Sequence, residues 1–199
     1  MNNLLNEFVV ILDNGHGLET PGKRSPKWKD GTQLFEYEFN RNIVNRVAKM
    51  LDAIGIKYRV LVPEVIDISL GERCRRANRI YQETDGKCFV VSIHANAGGG
   101  TGWEVYTSKG QTKSDAIATV FYNEAKKAFP EQRMRTDIYS DGDPDKESQF
   151  YILVHTKAPA ILTENFFMDN EKDCRLIMSE EGRERIARFH VEAIKKIIL

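Results

Sequence analysis

The sequence predicts an α/β domain built on a central, mostly parallel sheet of about six strands flanked by helices. Three observations predict it. Strand-like and helix-like segments alternate from end to end. The clearest strand-like runs, residues 8–12 and 88–93, are short and almost continuously apolar, as strands covered on both faces are. No repeat or low-complexity linker interrupts the alternation, so residues 1–199 are expected to form one domain.

Taken in order, Phe8, Val9, Val10, Ile11 and Leu12 form the first strand, and a polar loop rich in Gly, Pro and Lys follows over 19–31. Phe35, Phe39, Ile43, Val47, Met50, Leu51 and Ile54 recur at helical spacing, and Gly55 fits the helix stop. Residues 56–62 read as a second strand ended by Pro63. Leu70, Cys74, Ala77 and Tyr81 mark a second helix, and 88–93 is the third strand. Gly98, Gly99 and Gly100 then break the chain before a fourth strand over 103–106. Ala116, Ile117, Val120, Phe121, Ala125 and Ala128 mark a helix that stops at Pro130. After a polar segment over 131–148, residues 150–154 and 160–163 read as two further strands. Ile186, Phe189, Ala193 and Ile197 close the chain as an amphipathic helix with Ser179 as its N-cap. Four helices are expected in all.

Composition narrows the function. The chain carries 29 Lys and Arg against 29 Asp and Glu, so it lacks the cationic surplus that phosphate-backbone binding requires, and no nucleic-acid partner is expected. No apolar stretch approaches the roughly 20 residues of a membrane helix. The start, with Glu7 between its apolar parts, lacks the order of an export signal, so synthesis in the cytoplasm is expected. Cys74, Cys88 and Cys174 are widely spaced and are expected to be buried free thiols.

Two of the four histidines stand out. His16 lies in Asp13-Asn14-Gly15-His16-Gly17 and His94 in Ser92-Ile93-His94-Ala95-Asn96, each directly after an apolar run. In an α/β sheet such strand ends bring distant side chains together, so the pair reads as metal ligands. A catalytic zinc site takes three protein ligands, and Glu36 at the start of the first helix is the third candidate. Glu38 lies about 200° further round the helix and points elsewhere, while Asn40 shares the Glu36 side and is expected to orient it. Glu164 ends the apolar run Pro159-Ala160-Ile161-Leu162-Thr163 and is a candidate general base, an exposed turn acid being the competing reading. His190 reads as a surface or core-edge residue. Asp141, Asp143 and Asp145 alternate, but Pro144 and the apolar Ile152 at the twelfth position break a calcium loop and leave an acidic turn.

These motifs, together with Glu36-Tyr37-Glu38-Phe39-Asn40 and the run through Glu164-Asn165-Phe166-Phe167, resemble the zinc-dependent N-acetylmuramoyl-L-alanine amidases of the amidase type 3 family, in order and spacing over nearly the whole chain. Arg73 and Asn78 resemble a family helix preceding the Ser-Ile-His strand. The resemblance implies that His16, Glu36 and His94 bind Zn2+, that Glu164 is catalytic, and that peptidoglycan is the substrate. Glu164 would take a proton from the attacking water and deliver one to the departing L-alanine nitrogen. Leu18 stands where the commoner family turn has a second glycine, and the loop around residues 20–26 is similar to that of phage and prophage lysins, which wait in the cytoplasm until released onto the wall.

A muramyl peptide offers a sugar, an amide and stem carboxylates, so Lys23, Arg24, Lys27, Trp28 and Lys29 suit a substrate groove, with His155 and Asn96 as further substrate-binding candidates. The expected form is a monomer without membrane insertion. A zinc peptidase acting on the stem peptide and a wall-binding relative without catalysis are the rival functions.

Overall fold

The computed structural model describes residues 8–198; Met1–Glu7, which carry part of the reading on export, lie outside them. The elements are β1 (Val9–Asn14), α1 (Glu36–Ala53), β2 (Tyr58–Val60), α2 (Leu70–Glu83), β3 (Cys88–Asn96), β4 (Glu104–Thr107), α3 (Lys113–Ala128), α4 (Ile138–Asp141), β5 (Lys146–Glu147), α5 (Tyr151–His155), β6 (Ala160–Phe167), α6 (Glu171–Met178) and α7 (Glu180–Ile198). The strands form one sheet in the order β2-β1-β3-β6-β4-β5. All neighbours are parallel except β4 and β6.

Side-chain alternation divides the core. Val10 and Leu12 of β1 and Phe89, Val91 and Ile93 of β3 face the helices α1, α3, α6 and α7. Val9 and Ile11, Cys88 and Val90, and Ala160 and Leu162 face the thinner layer of α2 and α5. Continuing that second face to the carboxyl ends of β1, β3 and β6, the period of two brings up Asp13, then Ser92 and His94, then Glu164. The sheet face that is apolar at one end is polar at the other, and the site lies there.

The first three strands, the fourth, and the helices now labelled α1, α2, α3 and α7 fall where the sequence puts them. Gly55 adopts φ 73° after α1, and Ser179 Oγ accepts from the Gly182 N–H at 3.0 Å as the cap of α7. Cys74, Cys88 and Cys174 are buried and free.

Three segments differ. Residues 150–154, expected as a strand, wind into α5: Ile152 and Leu153 are buried while Tyr151 and Val154 are exposed, a helical rather than alternating pattern. The expected strand over 160–163 is found as β6, and the strand that replaces 150–154 in the count of six is β5, within the segment expected to be only polar, where Tyr106 and Thr107 pair with Lys146 and Glu147. With α4, α5 and α6 added, the described residues hold seven helices rather than four. In the acidic turn, Asp145 is buried and accepts from Thr107 Oγ1 at 2.6 Å.

His190 is a core residue, not a surface or core-edge one. Its exposure is 0%; Nδ1 is 2.8 Å from the Ile186 carbonyl and Nε2 3.1 Å from Thr163 Oγ1. Burial pushes its pKa down to about 4, against the carbonyl bond that favours the charged form. The unfolded chain therefore binds a proton near 6.5 that the folded chain refuses until about 4, and stability falls as pH drops through that window. A His190→Gln protein should show a shallower loss of melting temperature between pH 7 and 4.5 than the wild type. The difference should approach roughly 3 kcal/mol at the acid end, and parallel curves would contradict it.

Candidate metal centre

Each of the three predicted ligands leaves a different element. His16 follows β1 in a left-handed conformation, φ 64°, which turns its ring back over the sheet end. That turn is held by Arg41, whose Nη1 donates to the His16 carbonyl at 3.0 Å. Glu36 opens α1 with its side chain inward at 1% exposure, while Glu38 is exposed, as the helical period requires. His94 is near the end of β3.

They converge. Glu36 Oε1 lies 3.3 Å from His16 Nε2 and 3.1 Å from His94 Nδ1, and the two imidazoles meet edge to face with centroids 4.9 Å apart. One ligand atom from each of the three falls within 4.8 Å of the others, the only such group of three His, Cys or acidic side chains among the described residues. Glu36 Oε2 is buried without a hydrogen-bond partner, and the cation paired with it, Lys23 Nζ, is 4.0 Å away. Two imidazole nitrogens and an under-satisfied buried carboxylate form a donor set that a divalent cation fits.

The three groups are coupled electrostatically. Burial disfavours the Glu36 carboxylate, yet the His16 and His94 hydrogen bonds and charges outweigh it and hold the group well below the usual range. Burial lowers the pKa of His16 despite Glu36. At His94 burial is overcome by Glu36, Glu164 and Asp13, and the net direction is upward.

Glu164 sits opposite His94 in the β3–β6 register, and its Oε2 is buried without a partner. Burial pushes this carboxyl up to about 8, with Glu36 and Glu104 adding to the shift and His94 opposing it. A carboxyl with that affinity can hold or release a proton near neutral pH.

A cavity of about 480 Å³ opens over these groups. His16, His94 and Glu164 line its polar floor; Lys23 stands on one side, and Leu70, Phe150 and Tyr151 form an apolar wall. The sequence does not foretell that wall, because residues 150–154 read there as a strand. Arg24 is exposed beside Lys23 and does not line the cavity; Trp28 turns inward, its Nε1 donating to Cys174 Sγ at 3.4 Å. His155 is exposed behind the wall, stacked on Tyr151 at 3.8 Å between centroids. Asn96 is engaged by Glu104, donating to Oε1 at 2.5 Å. Asn40 does not orient Glu36; its Nδ2 donates to the Gly15 carbonyl at 2.9 Å.

Glu104 is the residue that sequence reasoning missed. It is 2% exposed and faces Glu164 in the antiparallel β4–β6 register. Arg135 Nε at 2.6 Å, Lys146 Nζ at 3.0 Å and the Tyr106 hydroxyl at 2.8 Å donate to it, and these donors outweigh its burial and lower its pKa. The segment between α3 and β5 is thereby tied to the site.

Comparison with known proteins follows the same lines. The amidase type 3 profile, described as N-acetylmuramoyl-L-alanine amidase, matches residues 10–196. The chain belongs to this amidase family. Within it, the N-acetylmuramoyl-L-alanine amidase CwlM of Bacillus licheniformis is 33% identical over 189 residues, covering 94% of this chain and 67% of the relative. The endolysin of Bacillus phage SPP1 is 29% identical over 203 residues, covering 96% and 66%. A crystal structure of an N-acetylmuramoyl-L-alanine amidase from Clostridium difficile 630 superimposes with a TM-score of 0.81 at 24% identity and 96% coverage of both chains, which establishes the shared fold. The amidase profile spans His16, His94 and Glu164 of the cavity floor and Glu36, buried against the two imidazoles.

Proposed function

We propose that this amidase domain, acting as a monomer, hydrolyses the amide between the lactyl group of N-acetylmuramic acid and L-alanine in peptidoglycan, with His16, Glu36 and His94 holding Zn2+ and Glu164 moving the protons. The observation that carries the reading is the convergence of two imidazoles and a buried carboxylate at a cavity that Glu164 also lines, in an amidase-family chain. Zinc, when bound, polarises the scissile carbonyl and makes water a competent nucleophile at neutral pH.

The chain's own groups account for the rest. Glu164 accepts the proton of the attacking water and returns one to the leaving L-alanine nitrogen, without which the amine is a poor leaving group. Burial raises its proton affinity, which suits return of a proton to the amine, and a cation held by His16, Glu36 and His94 lowers it towards what a base needs. Lys23, on the cavity wall, and the adjacent Arg24 attract the carboxylates of the stem peptide. Leu70, Phe150 and Tyr151 offer an apolar face to the remainder of the substrate, and His155 stiffens Tyr151 from behind.

Digestion of purified peptidoglycan tests this. New free N-terminal L-alanine with intact glycan strands is expected, abolished by a chelator and restored by zinc. New D-amino-acid termini would make the domain a stem-peptide peptidase, and full activity after metal stripping would remove zinc from the reaction.

A further inference from the structure

The polar end of the α2/α5 sheet face contains three buried residues that no ligand set uses: Asp13 on β1, Ser92 on β3 and Arg73 on α2, all 2% exposed or less. They form a directional chain. Arg73 Nη1 donates to Asp13 Oδ1 at 2.7 Å, a buried ion pair that leaves Asp13 as an acceptor only. Ser92 Oγ donates its one proton to Asp13 Oδ2 at 2.6 Å. His94 Nε2 lies 3.2 Å from the same Oγ, whose proton is already committed. The serine can therefore only accept from the imidazole, and Nε2 must carry a hydrogen. The other nitrogen, Nδ1, is the one that faces Glu36 at 3.1 Å.

We propose that Arg73, Asp13 and Ser92 form a buried relay that fixes His94 in its Nε2–H tautomer and so presents the Nδ1 lone pair to the metal. The relay also reaches the second imidazole. Arg73 Nη1 and Nη2 donate to the carbonyls of Asn14, at 2.8 Å, and His16, at 3.1 Å, while Nε is fixed by the Ile68 carbonyl at 2.8 Å. One guanidinium thus positions both histidines, through a hydrogen-bond chain to one and through the backbone of the other. Arginine suits this because its planar fork serves several acceptors at fixed angles, which lysine cannot do. These three are positioning residues: Ser92 touches a ligand, and Asp13 and Arg73 act through others.

The proposal rests on the reading of His94 as a zinc ligand, and its test separates the two. Zinc affinity is measured by competition with a chromophoric chelator, and the His94 tautomer is read from nitrogen-15 chemical shifts of the metal-free protein with the ring neutral. The expected wild-type spectrum has the proton on Nε2. Ser92→Ala should bind zinc roughly 10–100-fold more weakly, with His94 distributed between tautomers, and Asp13→Asn should move both readouts in the same direction. A wild-type protein that binds zinc but whose metal-free form carries the His94 proton on Nδ1 overturns the relay alone. So does a Ser92→Ala protein whose affinity stays within about threefold of the wild type, well inside the range an outer-sphere partner controls. A wild type that binds no zinc overturns the ligand reading and the relay together. Should Ser92→Ala not fold, the wild-type spectrum decides.

Discussion

Glu164→Gln should lower kcat by roughly 10²–10⁴-fold, the range a general acid–base group supplies, while leaving zinc affinity close to that of the wild type. Glutamine keeps the shape and polarity of the side chain but can neither take the proton of the attacking water nor return one to the amine. Glu164 lies outside the His16, Glu36 and His94 cluster, so its replacement leaves the donor set whole. The same change should stabilise the metal-free protein at alkaline pH. The carboxyl titrates at about 8 in the fold against 4.5 ordinarily, so the folded state binds more protons than the unfolded state between those values. Stability is then fully present below 4.5 and declines as pH rises through 8. Glutamine has no proton to lose, and the metal-free variant should melt at or above the wild-type temperature near pH 8.5 and level with it near pH 4.5. Loss of turnover with a matching gain in alkaline stability is the mark of a group kept for chemistry at the expense of the fold. Unchanged turnover would take Glu164 out of the reaction.

The parts of this molecule that are legible in the sequence are those where one periodicity runs long enough to exclude the other. α1 and α7, of 18 and 19 residues, carry apolar stripes that only a helix can bury. β1 and β3 are apolar on both faces because helices cover both. The five residues of α5 are too few to separate a helix from a strand, and Ile152, Leu153 and Val154 favour the wrong choice by composition. β5 has two residues and no period at all. α6 buries only Asp173, Cys174 and Ile177, and an aspartate that accepts from Thr101 Oγ1 and the Gly102 N–H does not look like core in a sequence.

The site follows the same logic. His16 and His94 are legible because each ends an apolar strand, and Glu36 because helical geometry separates it from Glu38. Glu104 is not, since a lone acid between Trp103 and Val105 reads as the solvent side of a half-exposed strand; only the folded chain brings Arg135 and Lys146 to it. His190 has a usable signal that its polarity masks. It stands four residues after Ile186 and three before Ala193, both fully buried, so the stripe of α7 already turns it inward.

Gly15→Ala should abolish zinc binding while leaving the rest of the fold intact. A Cβ on Gly15 would stand 2.0 Å from His94 Cε1, 2.4 Å from Nε2 and 2.5 Å from Nδ1, far inside van der Waals contact with the whole edge of the ring. The backbone cannot withdraw, because the Gly15 N–H donates to the Ile93 carbonyl at 3.2 Å and the Gly15 carbonyl accepts from Asn40 Nδ2 at 2.9 Å. The imidazole must move instead, breaking its contacts with Ser92 and Glu36 together. Affinity should fall below detection, well beyond the roughly 10–100-fold of a lost outer-sphere partner, since a proposed ligand itself is displaced. Gly22→Ala is the control. Gly22 has φ 73° and a Cβ there would meet nothing within 4 Å, so alanine costs only about 1–2 kcal/mol of backbone strain and should leave the zinc titration unchanged. A Gly15→Ala protein that binds zinc like the wild type would mean that the His94 ring does not occupy the space above Gly15, and the triad geometry would fail with it. A metal-free Gly15→Ala protein that melts close to the metal-free wild type, yet shows no transition on adding zinc where the wild type rises by linkage, would locate the whole effect in that single contact.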